Sequence, residues 1–406
     1  MIPLHEARQL VLDACSPLPA RAVPLDRALG CVTTAAVTAT EAVPPFANTA
    51  MDGYAVRAAD TRGAGHGASV RLAVVGSLAA GAAPGMAVGP GQAVRIMTGA
   101  PLPPGADAVV MVELTAPDGP DGVVVEAEVP PGNHVRPAGD DLAPGQEVFP
   151  AGTELRPGHL GVLASLGYEQ VDVRPRPRVG VLSTGDELVE GPEGLRPGQI
   201  RDSNRPTLLG LLLRSDCEPV DLGIARDTEA DIGAALERGL RTCDAVVTSG
   251  GVSVGDHDYT KTVLDALSGG TMAWMQVAIR PARPFAFGVV AGTPVFGLPG
   301  NPVSSMVSFE CFARPALRQM MGHADLDRPT VAAVADGGLP RAPDGKLHLV
   351  RVVAAPGPDG RFHVHSSGGQ GSHQLRAMAV ANALTLVPDG HGIPPGGTAT
   401  TLLLQP

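Results

Sequence analysis

The chain has 406 residues, 44% of them hydrophobic and 17% charged, a composition typical of a soluble protein with more than one domain. Its net charge of −11 disfavours a nucleic-acid partner, because nucleic-acid surfaces are recognised by basic patches. Five scattered cysteines without a CxxC pair disfavour disulfides and thiolate zinc sites, and they favour a reducing, cytoplasmic location. The N-terminal residues do not resemble a signal peptide, and no apolar run approaches the roughly 20 residues that cross a bilayer, so no membrane role is expected.

The first part of the chain predicts helix, then β structure, then helix again. Residues 1–40 begin with the amphipathic segment PLHEARQLVLDA. Alternating strands divided by glycine and proline then predict a small β domain over 41–140; they are VRLAVVGSLAAG, QAVRIMTGA, ADAVVMVE and GVVVEAEVP. Residues 141–177 contain the helical segment RPGHLGVLASLGY and end in the proline-spaced VRPRPR, which marks a linker.

The second part predicts an α/β domain followed by a β domain. Over 178–326, the strands VGVLST, PVDLGIARD, DAVVTSGG and PVFGL alternate with helices, the last running from about Val303 to Met321. This alternation is typical of βαβ units and a parallel sheet. Residues 327–406 contain short strands such as KLHLVRVVAA and TATTLLL. We therefore expect a multidomain protein of the α/β plus β class.

Acidic residues follow three of the predicted parallel strands. Ligands bind outside the carboxyl ends of the strands in an open parallel sheet, so these loops share one edge. Carboxylates beside phosphate-binding amides are typical of a Mg²⁺ site, because this ion takes carboxylate and phosphate oxygens together. The acids at this edge are Asp186, Glu187, Asp227 and Asp258. From the residues alone, each could equally be a helix cap or a solvated turn.

Two turns at the same edge are rich in glycine or proline. Ser249-Gly250-Gly251, with Gly255 beyond it, could offer backbone N–H groups to a phosphate or could be only a turn. In PVFGLPGNP, a strand ends and a helix starts at Pro302, a residue suited to a first helical position. Taken with the acids, these turns predict a site that holds both an anion and a cation.

Basic residues are concentrated in AIRPARPFAFG, where Arg280 and Arg283 adjoin prolines that restrict the backbone. Arg351 lies in KLHLVRVV, and Ser372 lies in GGQGSH. Two or three cations with hydroxyl and backbone donors would suit a small tetrahedral oxyanion. Ordinary surface ion pairs are the alternative for these residues.

Three further polar residues lie in turns outside the α/β segment. Asp52 lies within NTAMDGYAV, Thr98 within RIMTGAPLPPGADAVV, and Asp141 within RPAGDDLAPG. Taken singly, all three read as structural turns. The sequence lacks HExxH, GxSxG and GxxxxGK[ST] motifs, and has no GxGxxG in a strand–helix context, which disfavours zinc proteolysis, serine hydrolysis, P-loop chemistry and hydride transfer.

With these motifs together, the chain resembles the molybdopterin molybdenumtransferase (MoeA) family, to which the gephyrin E domain is related. The resemblance extends nearly from end to end, and the order and spacing of the motifs make it specific. The motifs are MDGYAV (51–56), RIMTGAPLPPGADAVVM (95–111), VGVLSTGDEL (179–188), SGGVSVGDHDYTK (249–261), RPARPFAFG (280–288), GLPGNP (297–302) and GQGSH (369–373).

The resemblance implies insertion of molybdate into adenylated molybdopterin, which yields molybdenum cofactor and AMP with the help of a divalent cation, Mg²⁺. It implies a four-domain, elongated homodimer whose active site is shared between subunits. Residues 1–40 and 141–177 would then form one discontinuous linker and dimerisation domain. Transient partners would be a molybdopterin adenylyltransferase and the molybdoenzymes that receive the cofactor.

The resemblance also assigns roles to residues that match the family's motifs. The catalytic set would be Asp52, Thr98, Asp141, Glu187, Asp227 and Asp258, and the metal ligands Asp186, Asp227 and Asp258. Residues around the pterin and AMP phosphates would be Ser249, Gly250, Gly251, Ser253, Gly255, Pro299, Gly300, Asn301 and Pro302. The molybdate pocket would be formed by Arg280, Arg283, Arg351 and Ser372.

One departure concerns the basic segment, where the family commonly has KPGKP and this chain has Arg280 and Arg283. Lysine occurs only at positions 261 and 346, so a coding bias toward arginine accounts for the change. Arginine keeps the charge but is longer and forked. Two alternatives stay open, a molybdopterin adenylyltransferase and a non-catalytic scaffold of the same family. The sequence does not separate molybdate from tungstate.

Overall fold

The structure is a computed structural model and describes residues 1–252 and 259–404. Ser253, Gly255 and Asp258, which the resemblance places in the site, lie outside the described residues. The chain forms two compact units. The first comprises Met1–Val23, Gly30–Thr34 and the chain from Asp172 onward, and the second comprises Pro24–Leu29 and Ala35–Val171.

The described residues contain eight α-helices, and a π-helix over Phe309–Ala313 joins the sixth to the seventh. The helices are α1 (Leu4–Ala14), α2 (Pro157–Ser165), α3 (Asn204–Leu213), α4 (Glu229–Thr242), α5 (Tyr259–Ser268), α6 (Pro302–Ser308), α7 (Arg314–Met320) and α8 (Leu375–Val380). Short 3₁₀ helices cover Leu25–Arg27, Ala58–Thr61 and Val112–Leu114.

The strands are mostly short, as expected of a chain so rich in glycine and proline. Those before the α/β segment are β1 (Arg21–Pro24), β2 (Val32–Thr33), β3 (Val37–Thr38), β4 (Asn48–Thr49), β5 (Gly53–Val56), β6 (Val70–Leu78), β7 (Gln92–Ile96), β8 (Ala108–Met111), β9 (Thr115–Pro117), β10 (Gly122–Val125), β11 (Val135–Arg136), β12 (Glu147–Phe149) and β13 (Gln170–Arg174). Those of the α/β segment are β14 (Arg178–Thr184), β15 (Leu188–Val189), β16 (Ile200–Arg201), β17 (Glu218–Ala225), β18 (Ala245–Ser249), β19 (Ala273–Gln276), β20 (Ile279–Arg280), β21 (Pro284–Val290) and β22 (Thr293–Leu298). The remainder are β23 (Thr330–Ala335), β24 (Leu339–Pro340), β25 (Leu347–Pro356), β26 (Phe362–Ser366), β27 (Ala383–Val387), β28 (Gly392–Ile393) and β29 (Gly397–Leu403).

The second unit is built around a six-stranded sheet of order β8-β5-β7-β6-β10-β9. Its valines and alanines face inward; Val94, Val109 and Val123, for example, are completely buried. β5 pairs antiparallel with β7, and Gly53 lies opposite Ile96. The residues just before β5 and just after β7 therefore lie at the same end of the sheet.

The α/β segment of the first unit contains a six-stranded sheet of order β17-β14-β18-β22-β21-β19. The first four strands are parallel, whereas β21 and β19 are antiparallel to their neighbours. All of β18 is buried, because helices cover both faces of such a sheet and leave no polar side. The carboxyl ends of β14, β17, β18 and β22 meet at one edge, where Thr184 lies opposite Ala225 and Ser249 lies opposite Leu298.

The C-terminal segment of the first unit is a closed β structure. Its sheet runs β20-β25-β26-β23-β29-β27, and an additional pairing of β25 with β27 closes the ring. β20 leaves the α/β segment and pairs parallel with the start of β25, so that Arg280 lies opposite His348. This short strand attaches the basic segment directly to the C-terminal sheet.

The predicted fold class is confirmed: a multidomain protein with an α/β segment and β-rich segments before and after it. The structure refines two expectations. The α/β sheet is mixed rather than wholly parallel, because the short turn at residues 291–292 joins β21 to β22 as antiparallel neighbours and β19 then pairs antiparallel with β21. The final helix is interrupted by the π-helical segment just before Pro315, because proline has no N–H to donate to the carbonyl four residues earlier and its ring crowds that carbonyl. The boundaries at 40, 140, 177 and 326 stay a prediction.

Candidate active site

The carboxyl edge of the parallel strands forms one side of a cavity of about 650 Å³, here called the turn cavity. The turns after β14, β17, β18 and β22 all contribute to its wall, as the strand-end rule predicts. Predicted residues that line it are Glu187, Asp227, Ser249, Gly250, Gly251, Pro299, Gly300, Asn301 and Pro302. Residues that were not predicted also line it, notably Thr184, Asn204, Tyr259 and Thr260.

Two predicted metal ligands, Asp186 and Asp227, lie side by side at this edge. The backbone N–H of each donates to the carboxylate of the other, over 3.2 Å to Asp186 Oδ1 and 3.3 Å to Asp227 Oδ2. This reciprocal pairing fixes both turns and uses one oxygen of each carboxylate. Asp186 is exposed and Asp227 is half-buried. Asp227 lines the turn cavity, and Asp186 adjoins it through these hydrogen bonds. Two neighbouring carboxylates are ligands chemically suited to Mg²⁺.

A third carboxylate that would complete this set is not visible among residues 1–252 and 259–404. Within those ranges no group of three or more His, Cys, Asp or Glu side chains could hold a metal ion. Asp258, the third ligand expected from the resemblance, is outside them. The described part of the site therefore supplies two of the three predicted ligands.

The two glycines after β18 are required by the backbone geometry of the turn. Gly250 has φ of +101° and Gly251 has φ of +67°, a conformation that side chains rarely adopt. A Cβ on Gly251 would lie 2.2 Å from the side chain of Thr260, which is buried in the first turn of α5. Gly250 also donates its N–H to the carbonyl of Leu298 over 3.1 Å, so this amide belongs to the sheet rather than to a ligand.

Asn204, the first residue of α3, connects two of these turns. Its Nδ2 donates to Ser249 Oγ and to the carbonyl of Gly300, both over 2.7 Å. The N-terminus of α3 is meanwhile capped by Asp202, whose Oδ1 accepts from the backbone N–H groups of Asn204 and Arg205. The sequence signal was the polar triplet Asp202-Ser203-Asn204 just ahead of a helix, which the sequence analysis did not use.

A second cavity of about 620 Å³ lies where β20 meets the C-terminal sheet, and it is called here the arginine cavity. Of the predicted molybdate residues, Arg280 and Arg351 line it, together with Asp344, His348 and Gln370. Arg280 is exposed, whereas Arg351 is completely buried. The cavity therefore combines an exposed cation with a buried one.

Arg351 is held by the turn that carries the GGQGSH motif. Its Nη2 donates to the carbonyls of Gly369 and Gly371, and Gln370 bonds to both backbone groups of Arg351. Its Nε and Nη1 are buried and have no hydrogen-bond partner among the described residues. Burial lowers the pKa of the guanidinium, which nevertheless stays charged because its ordinary pKa is so high. A buried cation with two unpaired donors is suited to an oxyanion.

The other charges of the arginine cavity are centred on Asp344. It accepts hydrogen bonds from Arg341, Lys346 and His348 and lies 4.0 Å from Arg280. Desolvation acts to raise the pKa of Asp344, but the hydrogen bonds from His348 and Lys346 outweigh it and lower this pKa to about 2. Desolvation lowers the pKa of His348, and Asp344 only partly opposes this effect. The cavity keeps an excess of positive charge around neutral pH.

Arg283 and Ser372 are not among the described residues that line the arginine cavity. Arg283 is exposed between β20 and β21, and its carbonyl accepts from the N–H of Val277. Ser372 is half-buried, and its carbonyl accepts from the N–H of Val303 in α6 over 3.1 Å. The structure thus brings two of the four predicted molybdate residues, Arg280 and Arg351, into the lining of one cavity. For the other two, it shows backbone hydrogen bonds to Val277 and Val303.

The remaining predicted residues lie in the second unit. Thr98 donates both its N–H and its hydroxyl to Asp52 Oδ1, each over 2.7 Å, because β5 and β7 pair in the register described above. These two hydrogen bonds, the backbone one first, lower the pKa of the exposed Asp52. Asp141 is also exposed, and its N–H donates to the carbonyl of Val43. Asp52 of the MDGY motif and Thr98 of the TGAP motif are thus joined by hydrogen bonds.

Comparisons with known proteins identify the family. The MoeA N-terminal region (domain I and II) matches residues 2–167, a probable molybdopterin binding domain matches 180–319, and the MoeA C-terminal region (domain IV) matches 338–404. Molybdopterin molybdenumtransferase 2 of Mycobacterium tuberculosis is 41% identical over 383 residues, 93% of each chain. Molybdopterin molybdenumtransferase of Haemophilus influenzae is 38% identical over 278 residues, 68% of each chain.

Solved structures agree with the sequence relatives. The molybdopterin biosynthesis moeA protein of Pyrococcus horikoshii OT3 superposes with a TM-score of 0.77 at 30% identity, covering 99% of this chain and 100% of that one. A second structure of the Pyrococcus protein gives a TM-score of 0.79 at 29% identity with full coverage of both chains. The chain therefore belongs to the molybdopterin molybdenumtransferase (MoeA) family and is a transferase of molybdenum cofactor biosynthesis.

Proposed function

We propose that this chain inserts molybdate into adenylated molybdopterin, releasing AMP and yielding molybdenum cofactor. The observation that carries the proposal is the buried Arg351, whose guanidinium Nε and Nη1 have no hydrogen-bond partner in the part of the chain that the structure describes, in a cavity that Arg280 also lines. A charge held in this way recognises a small oxyanion. The relatives in Mycobacterium and Haemophilus are named molybdopterin molybdenumtransferases, so we propose that this oxyanion is molybdate.

The turn cavity is the proposed site for adenylated molybdopterin. Its wall combines the Ser249–Gly251 turn with the Pro299–Pro302 turn and has the acids Glu187 and Asp227 at its mouth. Because its volume of about 650 Å³ is in the range of ordinary ligand sites, it can accept a large part of a nucleotide-bearing pterin. Positioning the substrate here, with molybdate held by the arginines, replaces a chance encounter by an oriented one.

A Mg²⁺ ion would be held by Asp186 and Asp227, with Asp258 as the third proposed ligand. When bound, it would neutralise phosphate charge on the leaving AMP. The two described carboxylates each have one oxygen engaged by a neighbouring amide, which fixes their orientation before any ion arrives. Glu187 lines the cavity without such an amide contact in the described hydrogen bonds, so it is the proposed proton-handling group of this region.

We also propose that the active protein is a homodimer in which Asp52, Thr98 and Asp141 serve the site of the other subunit. The family resemblance supports this arrangement. Within the chain, the two hydrogen bonds from Thr98 orient the carboxylate of Asp52 and lower its pKa. A molybdopterin adenylyltransferase would supply the substrate, and molybdoenzymes would accept the product. Within the described residues no helix is both long and apolar enough to span a bilayer.

The direct test is to incubate the purified chain with adenylated molybdopterin and molybdate, with Mg²⁺ or with EDTA, and to measure AMP. We expect AMP release that requires both molybdate and the divalent cation. No AMP under any condition would refute the proposed reaction. Consumption of ATP with molybdopterin, releasing pyrophosphate and forming adenylated molybdopterin, would instead indicate an adenylyltransferase, an alternative already disfavoured because the relatives match over 93% of the chain. Replacing molybdate by tungstate determines the choice of oxyanion.

Sharing of the site between subunits is tested by mixing two inactive variants, Asp52→Asn and Arg351→Gln. After unfolding and refolding together, mixed dimers would contain one site with both residues intact. About a quarter of the wild-type activity should therefore return if dimers form at random. A site contained within one subunit would give no recovery, and would exclude the proposed arrangement.

A further inference from the structure

Asn204 has no role that helix stability can explain. The N-terminus of α3 is already capped by Asp202, which accepts from two backbone N–H groups. Asn204 is a modest helix former, and its hydrogen bonds run to other elements. Moreover, its Oδ1 is buried and has no partner among the described residues. An unpaired buried acceptor destabilises the fold, so the amide is retained for what its Nδ2 contacts.

Those contacts determine the orientation of the amide. The carbonyl of Gly300 can only accept a hydrogen bond, so the group that faces it over 2.7 Å must be the NH₂ of Asn204. The same NH₂ faces Ser249 Oγ over 2.7 Å. The hydroxyl of Ser249 must therefore accept from Asn204, and its own hydrogen remains to be donated elsewhere. Ser249 is almost completely buried but lines the turn cavity.

The three elements joined in this way come from separate parts of the chain. Ser249 ends β18, Gly300 lies in the turn after β22, and Asn204 begins α3. β18 and β22 are neighbours in the sheet. The hydrogen bond from Gly250 N–H to the carbonyl of Leu298 is at the end of this pairing, and the turns that follow leave the sheet. Asn204 supplies a connection between the turns beyond that point. A Cβ on Gly300 would already lie 3.8 Å from Gly250 Cα, so the turns are in close contact there.

We propose that Asn204 is a positioning residue that acts through Ser249. It locks the Ser249–Gly251 turn against the Pro299–Asn301 turn and directs the Ser249 hydroxyl hydrogen toward a phosphate oxygen of the bound substrate. The inference rests on the proposed function, since it assigns the phosphate-bearing part of adenylated molybdopterin to this wall of the turn cavity. A donor fixed before binding loses little freedom when the ligand arrives, which raises affinity.

The test uses AMP as the probe, with its dissociation constant measured by titration calorimetry on the full chain. Asn204→Ala and Ser249→Ala should each weaken AMP binding by about tenfold. Ser249→Ala removes the proposed hydrogen bond to the phosphate, and Asn204→Ala removes the hydrogen bond that orients the Ser249 hydroxyl. Because both act on one donor, the double variant should bind AMP about as weakly as the weaker single variant. Molybdate binding, which the arginine cavity governs, should be unchanged in all three.

Asn204→Asp is the second variant. It keeps the size of the side chain but places a carboxylate against the carbonyl of Gly300, so it should bind AMP no better than Asn204→Ala. Thr207→Ala is the matched control in the same helix, because the Thr207 hydroxyl donates to the carbonyl of Ser203 at the start of that helix. This control should keep wild-type AMP affinity, and thermal unfolding of all variants should show that the fold is intact.

The inference is overturned if Asn204→Ala binds AMP as the wild type does, if the two single effects add in the double variant, or if Thr207→Ala loses as much affinity. These outcomes differ from a failure of the proposed function. In that case the wild-type chain itself would neither bind AMP nor release it from adenylated molybdopterin.

Discussion

The turn cavity and the arginine cavity belong to the same compact unit, yet the first is formed mainly by backbone and the second mainly by charged side chains. The wall of the turn cavity is largely backbone at the ends of parallel strands, with Glu187 and Asp227 beside it. The arginine cavity takes its character from side chains, of which Arg351 is oriented by carbonyls at positions 369 and 371. This difference agrees with the proposed function, in which the turn cavity binds a large organic substrate and the arginine cavity binds a small oxyanion.

The comparison also corrects a common interpretation of glycine-rich loops. Gly250 is not there chiefly to offer its amide, since that amide donates to the carbonyl of Leu298 in the sheet. Gly250 and Gly251 are there because a side chain would not fit and because φ is positive at both positions. In the turn cavity, therefore, we expect substitutions of these glycines to act by changing the backbone conformation. In the arginine cavity, we expect substitutions to act by changing the charge.

The largest effect is expected from Gly251→Ala. Its Cβ would clash with the buried Thr260 at 2.2 Å in a backbone conformation that alanine disfavours. We expect a loss of about 2–4 kcal/mol in the free energy of unfolding, measured by urea denaturation. Gly300→Ala is the matched control, because its Cβ would make only an ordinary contact at 3.8 Å, and it should change stability by less than about 0.5 kcal/mol. Equal losses would contradict the steric explanation.

Arg351→Gln should separate the two cavities. The amide can still donate to a carbonyl of the 369–371 turn, but the charge is lost, so molybdate binding should weaken by about a hundredfold. AMP binding should not change. Arg283→Gln is the control, because Arg283 is exposed and does not line the described cavity. Equal losses of molybdate affinity in the two variants, measured by calorimetry, would show that the oxyanion site extends beyond the arginine cavity.

Asp227→Asn should raise the Mg²⁺ concentration needed for half-maximal AMP release by about tenfold, since one anionic ligand is lost. Asp244→Asn is the control. Asp244 precedes β18 at the opposite edge of the same sheet, where its carboxylate accepts from the N–H of Arg178. An unchanged Mg²⁺ requirement in Asp227→Asn would show that Asp227 is not a ligand of the proposed metal site.

The smallest effect concerns Asp52, a carboxylate outside both cavities. Thr98→Val removes the hydroxyl donor but keeps the backbone N–H, so the pKa of Asp52 should rise part of the way to its ordinary value. A carboxylate whose pKa is lowered by folding stabilises the protein above its unfolded pKa, and this contribution disappears as pH falls through the folded pKa. Thr98→Val should therefore move the loss of Asp52 ionisation to higher pH.

That shift is measured by NMR titration of the Asp52 carboxyl carbon. Thr115→Val is a suitable control, because the Thr115 hydroxyl donates to the carbonyl of Val112 in the same unit. An identical Asp52 titration in Thr98→Val and the wild type would show that the hydroxyl contributes nothing to holding this carboxylate ionised.

Much of the turn cavity could be predicted from the sequence. The strands VGVLST and DAVVTS are continuous apolar runs, and strand ends of a parallel sheet converge at one edge, so the loops after them had to meet. The pairing of Asp186 with Asp227 follows from that rule. Asn204 was missed because its importance lies in contacts with residues 45 and 96 positions away, and a polar residue before a helix reads first as a cap.

By itself the sequence determined the kinds of element, the acidic edge and the turns in which only glycine fits, because these depend on local periodicity and on backbone conformation. The tertiary structure alone decided which arginines share a cavity. Arg280 and Arg351 line the same cavity because β20 pairs with β25. Arg283, three residues after Arg280, is exposed and lies outside the described cavity lining. The pairing register of distant strands sets which side chains face each other, and nothing in the spacing of Arg280 and Arg283 encodes it.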